Sequence, residues 1–314
     1  MKRYLILIIS LAFLIGCNNH ERAPKHTKHG TNWELDNLFG KVKTLEQFRA
    51  NIINFETNQT EDPIIKSRKK FTETGLLVYH ETFSNFGELE QRLDNEFDSY
   101  GNRVKSNSVN FLIPFKSTET AEYDDEGRLV YASVVFDDTL HAEGTYKYDH
   151  LNNIIAHRNI QNGDTTFVFF EYEYNEQDQM IWRKQIEESD EGTYEYITEF
   201  RYDNSGNNIE LFNATEILGE LKIQHEYNAE NKLIKTKEFQ DGNITKETTF
   251  DIYSNPISVK HFSWGEFVRE LKHEYSFDKV GNWIEKRTFL NENEGQESGF
   301  KLVFIETRKI EYYE

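Results

Sequence analysis

The stretch Tyr123-Asp124-Asp125-Glu126-Gly127-Arg128-Leu129-Val130 contains the pattern that decides the fold. An aromatic residue is followed, in most copies, by Asp or Asn, then by a Gly-like residue three positions on and by Val or Ile three positions after that. The pattern occurs nine times, at spacings of 23 to 28 residues. Its aromatic anchors are Phe71, Phe97, Tyr123, Tyr148, Tyr174, Tyr202, Tyr227, Phe250 and Phe277. Such a period indicates one supersecondary unit, copied so that each copy buries a surface of its neighbour.

Each copy predicts a β-hairpin with a tight turn. Asp or Asn at the first turn position accepts a hydrogen bond from the backbone, and the fourth position adopts a positive φ that favours Gly, Asn or Asp. The β-branched residue three positions later suits a strand that leaves the turn. The turn positions that we predict include Asp98, Gly101, Asp124, Gly127, Asp149, Asp203, Gly206, Asp278 and Gly281.

The connections on the other side of each repeat are irregular, as in the acidic run from Glu187 to Gly192. Because the Asp-type turn is constant, the variation in repeat length falls on the opposite edge of the predicted sheet. Repeat proteins usually carry insertions where they meet partners. Loop drift without any function is the alternative.

These repeats, and Tyr202-Asp203-Asn204-Ser205-Gly206-Asn207 in particular, resemble the YD repeat of Rhs-type proteins, in which a Tyr-Asp pair precedes Gly-Asn or Gly-Arg. The resemblance covers roughly residues 65 to 290. In large members it implies a strip of hairpins that spirals into a shell around a toxin, and other members bind carbohydrate or protein at cell surfaces. The chain is too short for such a shell, and no toxin segment follows Ile284. The resemblance therefore implies a small exported lipoprotein with degenerate repeats.

The fold that we predict is all-β: an elongated, coiled antiparallel meander of about nine hairpin repeats of about 26 residues. Strands twist, and open sheets of more than about ten strands curl or split. Residues 40–54 also fit an amphipathic helix, but we expect them to form a strand that pairs back on residues 63–71 as an irregular first hairpin. The final run, residues 299–313, is predicted to be an edge strand, because it carries several charged side chains.

The N-terminus predicts export and lipidation. Lys2 and Arg3 precede an apolar run over residues 5–16 that is too short to span a bilayer, and Leu14-Ile15-Gly16-Cys17 matches the bacterial lipobox. We expect residues 1–16 to be a lipoprotein signal peptide, Cys17 to be acylated, residues 17–31 to form a flexible tether and residues 32–314 to form the repeat domain. An uncleaved anchor and an ordinary secretory signal are the alternatives. The expected location is the bacterial cell envelope, at the outer rather than the inner membrane.

The negative charge of the chain argues against binding to nucleic acid. The net charge is −19, and removal of residues 1–16 would leave 34 basic and 55 acidic residues, a net charge of −21. Such a field repels nucleic acid and anionic lipid headgroups. Cys17 is the only cysteine, so the mature protein is expected to have no disulfide.

No catalytic constellation is found in the sequence, so we predict neither an enzyme nor a cofactor. His20, His26 and His29 have ligand-like spacing but lie in the tether, where nothing fixes their geometry, and we predict no metal site. The turn carboxylates are expected to cap their own turns rather than to hold Ca²⁺. The aromatic residues that could form a ligand platform are Trp182, Trp264 and Trp283, with cross-strand packing as the alternative.

These observations favour a lipid-anchored envelope repeat protein that acts as a non-enzymatic binding scaffold for a glycan or a protein. One alternative is a structural or accessory subunit of an envelope or toxin-related complex. The other is a hydrolase whose site forms across repeats.

Overall fold

The computed structural model describes residues 31–137, 140–161, 163–215, 219–292 and 299–314. The predicted signal peptide, Cys17 and the tether histidines lie outside these residues. One short helix, α1 (Asn32–Leu35), precedes the strands.

The strands are β1 Val42–Asn54, β2 Gln59–Thr60, β3 Ile64–Phe71, β4 Leu77–Phe83, β5 Leu89–Phe97, β6 Arg103–Asn110, β7 Phe115–Tyr123, β8 Leu129–Phe136, β9 Leu140–Tyr148, β10 Ile154–Gln161, β11 Asp164–Tyr174, β12 Met180–Ser189, β13 Gly192–Tyr202, β14 Asn208–Thr215, β15 Gly219–Tyr227, β16 Leu233–Gln240, β17 Asn243–Phe250, β18 Pro256–Ser263, β19 Glu266–Phe277, β20 Trp283–Asn291 and β21 Lys301–Tyr312. From β3 onward, each strand pairs antiparallel with the next one.

The first and last long strands pair with each other and close the sheet. β1 pairs with β3 on one side and with β21 on the other, in a register that runs from Val42 opposite Tyr312 to Asn51 opposite Phe304. With the two-residue β2 set aside, 20 strands form a closed antiparallel barrel. The all-β prediction is confirmed, as is the pairing of residues 40–54 with residues 63–71. The predictions of an open, elongated meander and of a final edge strand are wrong.

β-bulges explain how the strip of hairpins closes. Register shifts lie beside the aromatic anchors, for example between Glu122 and Tyr123 and between Arg201 and Tyr202. A bulge adds a residue to one strand, bends that strand and increases its twist. Because the bend recurs at most hairpins, the strip curls until β21 reaches β1. Closure removes both free edges of the sheet, which would otherwise present unpaired backbone groups.

The two faces of the closed sheet differ in burial. In β13, Thr198 is buried, whereas its neighbours Ile197 and Glu199 are exposed. Side chains converge on the concave side of a curved sheet, so we assign the more buried face to the interior and call it the inner face. All extensive contacts between the described strands join neighbours in the sheet. Closed sheets of 16–18 strands already enclose an aqueous channel, so we expect the interior of this ring of 20 strands to form a lumen.

The two ends of the closed sheet also differ. The nine Asp-type turns lie at one end, which we call the regular end, and the variable connections lie at the other, the irregular end. Residues 31–41, which we call the plug, lie against the regular end, where they bond residues on both sides of β1, from Gly75 to Tyr253 and Asn282. The hydrophobic core lies beneath the plug, where Leu38 packs with Val42, Leu45 and Phe71, all four of them buried.

Candidate binding surface at the irregular end

The regular end is built from one turn geometry. In the third copy the Asp124 N–H donates to the Arg128 carbonyl at 3.0 Å, and the Gly127 N–H donates to the Asp124 carbonyl at 2.9 Å. The same two bonds occur at all nine turns. The fourth turn residue has a positive φ in every copy, from 58° at Asp178 to 104° at Gly281. The turn from Ser84 to Glu88, at the irregular end, makes the same pair of bonds.

The turn carboxylates are occupied within their own turns. Asp124 accepts the N–H groups of Glu126 and Arg128 at 3.1 and 2.8 Å, and the Arg128 guanidinium at 2.6 Å. Burial opposes ionisation, but the bonds from Arg128 outweigh it and hold the pKa of the Asp124 carboxyl below its ordinary value. Similar bonds are made by Asp98, Asp149, Asp203 and Asp278. In the described ranges, no group of three or more His, Cys, Asp or Glu side chains is arranged to hold a metal ion.

Tyrosine hydroxyls join successive hairpins near the regular end. The Tyr148 hydroxyl donates to the Leu129 carbonyl at 2.7 Å, just after the preceding turn. Burial raises the pKa of Tyr148 to about 12, which keeps this donor protonated. Equivalent bonds are made by Tyr123, Tyr172, Tyr202, Tyr227 and Tyr275. Each of them satisfies a carbonyl at the start of a strand.

The irregular end exposes large apolar side chains on three neighbouring connections. These are the connection from β1 to β3, the β4–β5 hairpin and the β6–β7 hairpin. We define the tip arc as Ile53, Phe55, Phe86, Phe111, Leu112 and Ile113. Phe86 is 86% exposed and Ile113 is 73% exposed. Monomeric soluble proteins rarely leave clustered apolar side chains in water unless they bind something.

Hydrogen bonds between the three connections hold the tip arc together. The Lys66 ammonium, on β3, donates to the Ser84 carbonyl at 3.0 Å, and the Phe111 N–H donates to the Glu90 carbonyl at 2.8 Å. Beside the third tip, Val109, Phe115 and Asp137 line part of an open cavity of about 240 Å³. The tip arc is therefore a connected surface with a recess at one side.

The three predicted platform tryptophans are far apart in the fold. Trp264 lies at the tip of the β18–β19 hairpin and is 87% exposed, two connections round the ring from Phe55. Trp182 lies on the outer face, between Glu173 and Glu199 on the neighbouring strands. Trp283 is buried on the inner face beneath the Arg308 guanidinium, whose central carbon is 3.5 Å from the ring centroid. The structure does not bring them together as one platform.

The tip arc was not predicted from the sequence, although a signal for it was present. Residues 111–115 read Phe-Leu-Ile-Pro-Phe, an apolar run in a connection where polar residues are the norm. The plug was missed as well, because its contacts join residues far apart in the chain. One example is the bond from the Asn282 amide to the Phe39 carbonyl, at 2.7 Å.

No helix in the described part of the chain has the length and apolar character needed to cross a bilayer.

No protein-family model and no curated protein matches the chain. Among solved structures, it is similar to a chain of the TcdB2-TccC3-Cdc42 structure, with 14% identity, a TM-score of 0.38 and 75% of this chain covered. It is similar to a chain of the TcdB2-TccC3-TEV structure at 14% identity, with a TM-score of 0.37 and 78% covered. The aligned part spans only 13% of each of those chains. A porin-like protein from Bacteroides uniformis matches at 13% identity with a TM-score of 0.32, over 86% of this chain and 96% of that one.

Proposed function

We propose that the chain is a lipid-anchored, non-enzymatic scaffold of the bacterial envelope that binds a protein at the tip arc. The observation that carries this proposal is the exposure of large apolar side chains on three neighbouring connections. A partner that covers them gains about 25 cal/mol for each Å² of apolar surface removed from water. Phenylalanines at the centre of such a surface are typical anchors of protein interfaces.

The charges around the tip arc favour a protein with a basic rim. Glu56, Asp62 and Glu88 are exposed on the first two connections of the arc. Carboxylates repel an anionic lipid surface and attract Lys and Arg side chains on a partner. The aliphatic side chains of Leu112 and Ile113 suit a protein contact better than the flat, hydrogen-bonded stacking that sugar rings use.

The plug supports an orientation for this scaffold. The Asn32 N–H donates to the Gly75 carbonyl at 2.9 Å, so the described chain begins at the regular end. A tether from an acylated Cys17 therefore arrives at that end, and the tip arc points away from the membrane. Two or more acyl chains on Cys17 would give stable anchoring.

Site-specific photo-crosslinking in cells tests the proposal. A photoreactive amino acid at position 86 is expected to give one defined protein adduct. The same group at position 100, an exposed aromatic position at the regular end, is the matched control and is expected to give none. Ile113→Ser should abolish the adduct from position 86. Equal adducts from both positions, or persistence of the adduct in the Ile113→Ser variant, would contradict the proposal.

Two further measurements separate the alternatives. A glycan array probed with the purified chain is expected to be blank; a signal lost in Trp264→Ala would replace the protein partner with a glycan. An adduct that co-purifies at fixed stoichiometry with an envelope or toxin-related assembly would identify an accessory subunit.

The lipid anchor is tested separately. The Cys17→Ala variant should no longer be labelled by an alkyne fatty acid and should be released from membranes. Unchanged partitioning would contradict the anchor alone.

A further inference from the structure

The inner face carries an excess of positive charge beside the seam, which is the pairing of β1 with β21. Glu306 is buried; it accepts a hydrogen bond from the Arg49 guanidinium at 2.9 Å and forms an ion pair with Lys286, whose ammonium nitrogen lies 2.6 Å from a carboxylate oxygen of Glu306. Arg308 lies two residues further along β21 and therefore on the same face. Glu306 thus faces three cations, and Asp36, the other carboxylate that acts on Arg308, is itself paired with the Lys69 ammonium. Positive charge is therefore in excess here, within a chain whose net charge is −19.

Arg308 lacks an acceptor in this cluster. Its Nε and Nη1 atoms are buried and make no hydrogen bond with any described residue. The guanidinium lies over the Trp283 ring at 3.5 Å, which holds it in place without neutralising it. Burial lowers the pKa of Arg308 to about 10, with Asp36 and Glu306 opposing the shift. A buried N–H without an acceptor costs about 1–3 kcal/mol, and more when the group is charged.

The outer face shows how this fold balances a comparable set of charges. The buried Glu81 accepts Arg68 at 2.9 Å and Arg92 at 3.0 Å. Arg68 also binds Glu46 at 2.7 Å, so that two carboxylates meet two guanidinium groups. Among the described residues, no second carboxylate is hydrogen-bonded to Arg49, Lys286 or Arg308. Stabilisation of the fold therefore explains the outer cluster and leaves Arg308 unexplained.

We infer that Arg49, Lys286 and Arg308 form a site in the lumen for an oxyanion, the carboxylate or phosphate group of a small acidic ligand. The planar guanidinium fork matches the paired oxygens of both groups. Trp283 fixes the orientation of Arg308, so little side-chain entropy is lost when the anion binds. Such an anion balances the excess of cations beside the seam. This inference does not depend on the partner proposed for the tip arc.

Calorimetry with the full-length chain in detergent tests the site. The probes are inorganic phosphate, glucuronate and, as a neutral control, glucose, all at constant ionic strength in a buffer without oxyanions. Phosphate, glucuronate or both are expected to bind. Arg308→Gln should weaken the binding at least tenfold. Arg287→Gln is the matched control, because Arg287 lies on the same strand pair but faces outward, 2.9 Å from Glu285, and it should bind like the parent chain.

The pattern of binding identifies the ligand. Binding of glucuronate alone points to an acidic sugar, and binding of phosphate alone points to a phosphate ester; both outcomes support the site. Absence of binding by the parent chain at millimolar concentrations overturns it, as does equal binding by the Arg308→Gln variant. Arg308→Lys keeps the charge and removes the fork, so it should bind more weakly than the parent chain.

A stability measurement without ligand separates a binding role from a structural one. Because Arg308 is buried without an acceptor, Arg308→Gln is expected to leave Tm unchanged or to raise it. A clear fall in Tm would assign Arg308 to maintenance of the fold and would overturn the inference.

Discussion

The two ends of the closed sheet differ in how their connections are held, although both expose apolar side chains, among them Leu35 and Ile252 at the regular end and the tip arc at the irregular end. At the regular end, turn carboxylates, tyrosine hydroxyls and the plug satisfy one another, as in the paired bonds between Asn282 and the Phe39 backbone, both at 2.7 Å. At the irregular end, Phe86 and Ile113 extend into solvent. The difference shows that a repeat can fix the fold at one end and leave the other free to change. Substitutions should therefore have unequal effects at the two ends.

The largest difference is expected between the core under the plug and the tip arc. Leu45 is 2% exposed, so Leu45→Ala should create a cavity and lower the free energy of unfolding by about 2–5 kcal/mol. Leu112→Ala makes the same chemical change at a side chain that is 60% exposed and should alter that free energy by less than about 0.5 kcal/mol. Urea unfolding measures both. Similar losses would mean that the tip arc is buried in solution.

The next effect concerns the attachment of the plug. Asn282→Ala removes hydrogen bonds to the Phe39 backbone and to the Tyr312 hydroxyl, at a cost of about 1–3 kcal/mol. Hydrogen exchange in residues 31–41 should then accelerate. Asn207→Ala, at the same turn position in another repeat, is the control, because among the described residues the Asn207 side-chain amide bonds Asp203 and Asn231 and no residue of the plug. Slow exchange of the plug in the Asn282→Ala variant would show that the core alone holds it.

A smaller, pH-dependent effect is expected at a single regular turn. Asp124→Ala loses the bonds from Glu126 and Arg128 and should cost about 1 kcal/mol near pH 7. Because the folded-state pKa of this carboxyl is lowered from 3.8, its contribution is present above that value and is lost as the pH falls through the folded pKa. The difference in Tm between the two proteins should therefore shrink below about pH 4. Asp124→Asn keeps the acceptor and should cost less. A constant difference down to pH 2 would contradict the assignment.

The smallest effect on stability is expected at the tip arc itself. Phe86→Ser should change the free energy of unfolding by less than about 0.5 kcal/mol, since the side chain is 86% exposed. It should also reduce self-association, as seen by light scattering at high protein concentration, because an apolar anchor is lost. Tyr100→Ser at the regular end is the matched control and should change neither quantity. A marked loss of stability in the Phe86→Ser variant would show that the tip packs on the sheet.

The sequence predicted what local chemistry determines. The turn residues could be read from spacing, because Asp124 and Gly127 act within a segment of a few residues. Closure could not be read in this way, since the pairing of Leu45 with Ile310 leaves no local pattern. The curl of the sheet accumulates from many small bends, and no single repeat reveals their sum.

The candidate surface was only partly predictable, for a related reason. The irregular edge could be located from variable spacing, but which tips expose apolar side chains depends on tertiary contacts. Trp264 and Trp283 look alike in the sequence, yet one lies at a tip and the other under Arg308. The position of Trp283 directly after a turn could have predicted its burial. Leu129 and Met180 also begin strands after such turns, and both are buried. The excess of positive charge beside the seam could not be predicted from the sequence. Arg49 on β1 comes close to Lys286 and Arg308 on β20 and β21 only because the sheet closes.

Because β1 needs β21 as its second neighbour, the ring cannot be completed until β21 has been synthesised. Contacts this distant in sequence form slowly, and incomplete chains expose strand edges that invite pairing with other molecules. A sheet that lacks β21 therefore has two free edges, one on β1 and one on the last strand formed, and loss of β21 would leave both exposed to pairing with other molecules. Delayed folding until β21 is available would protect the chain from such pairing.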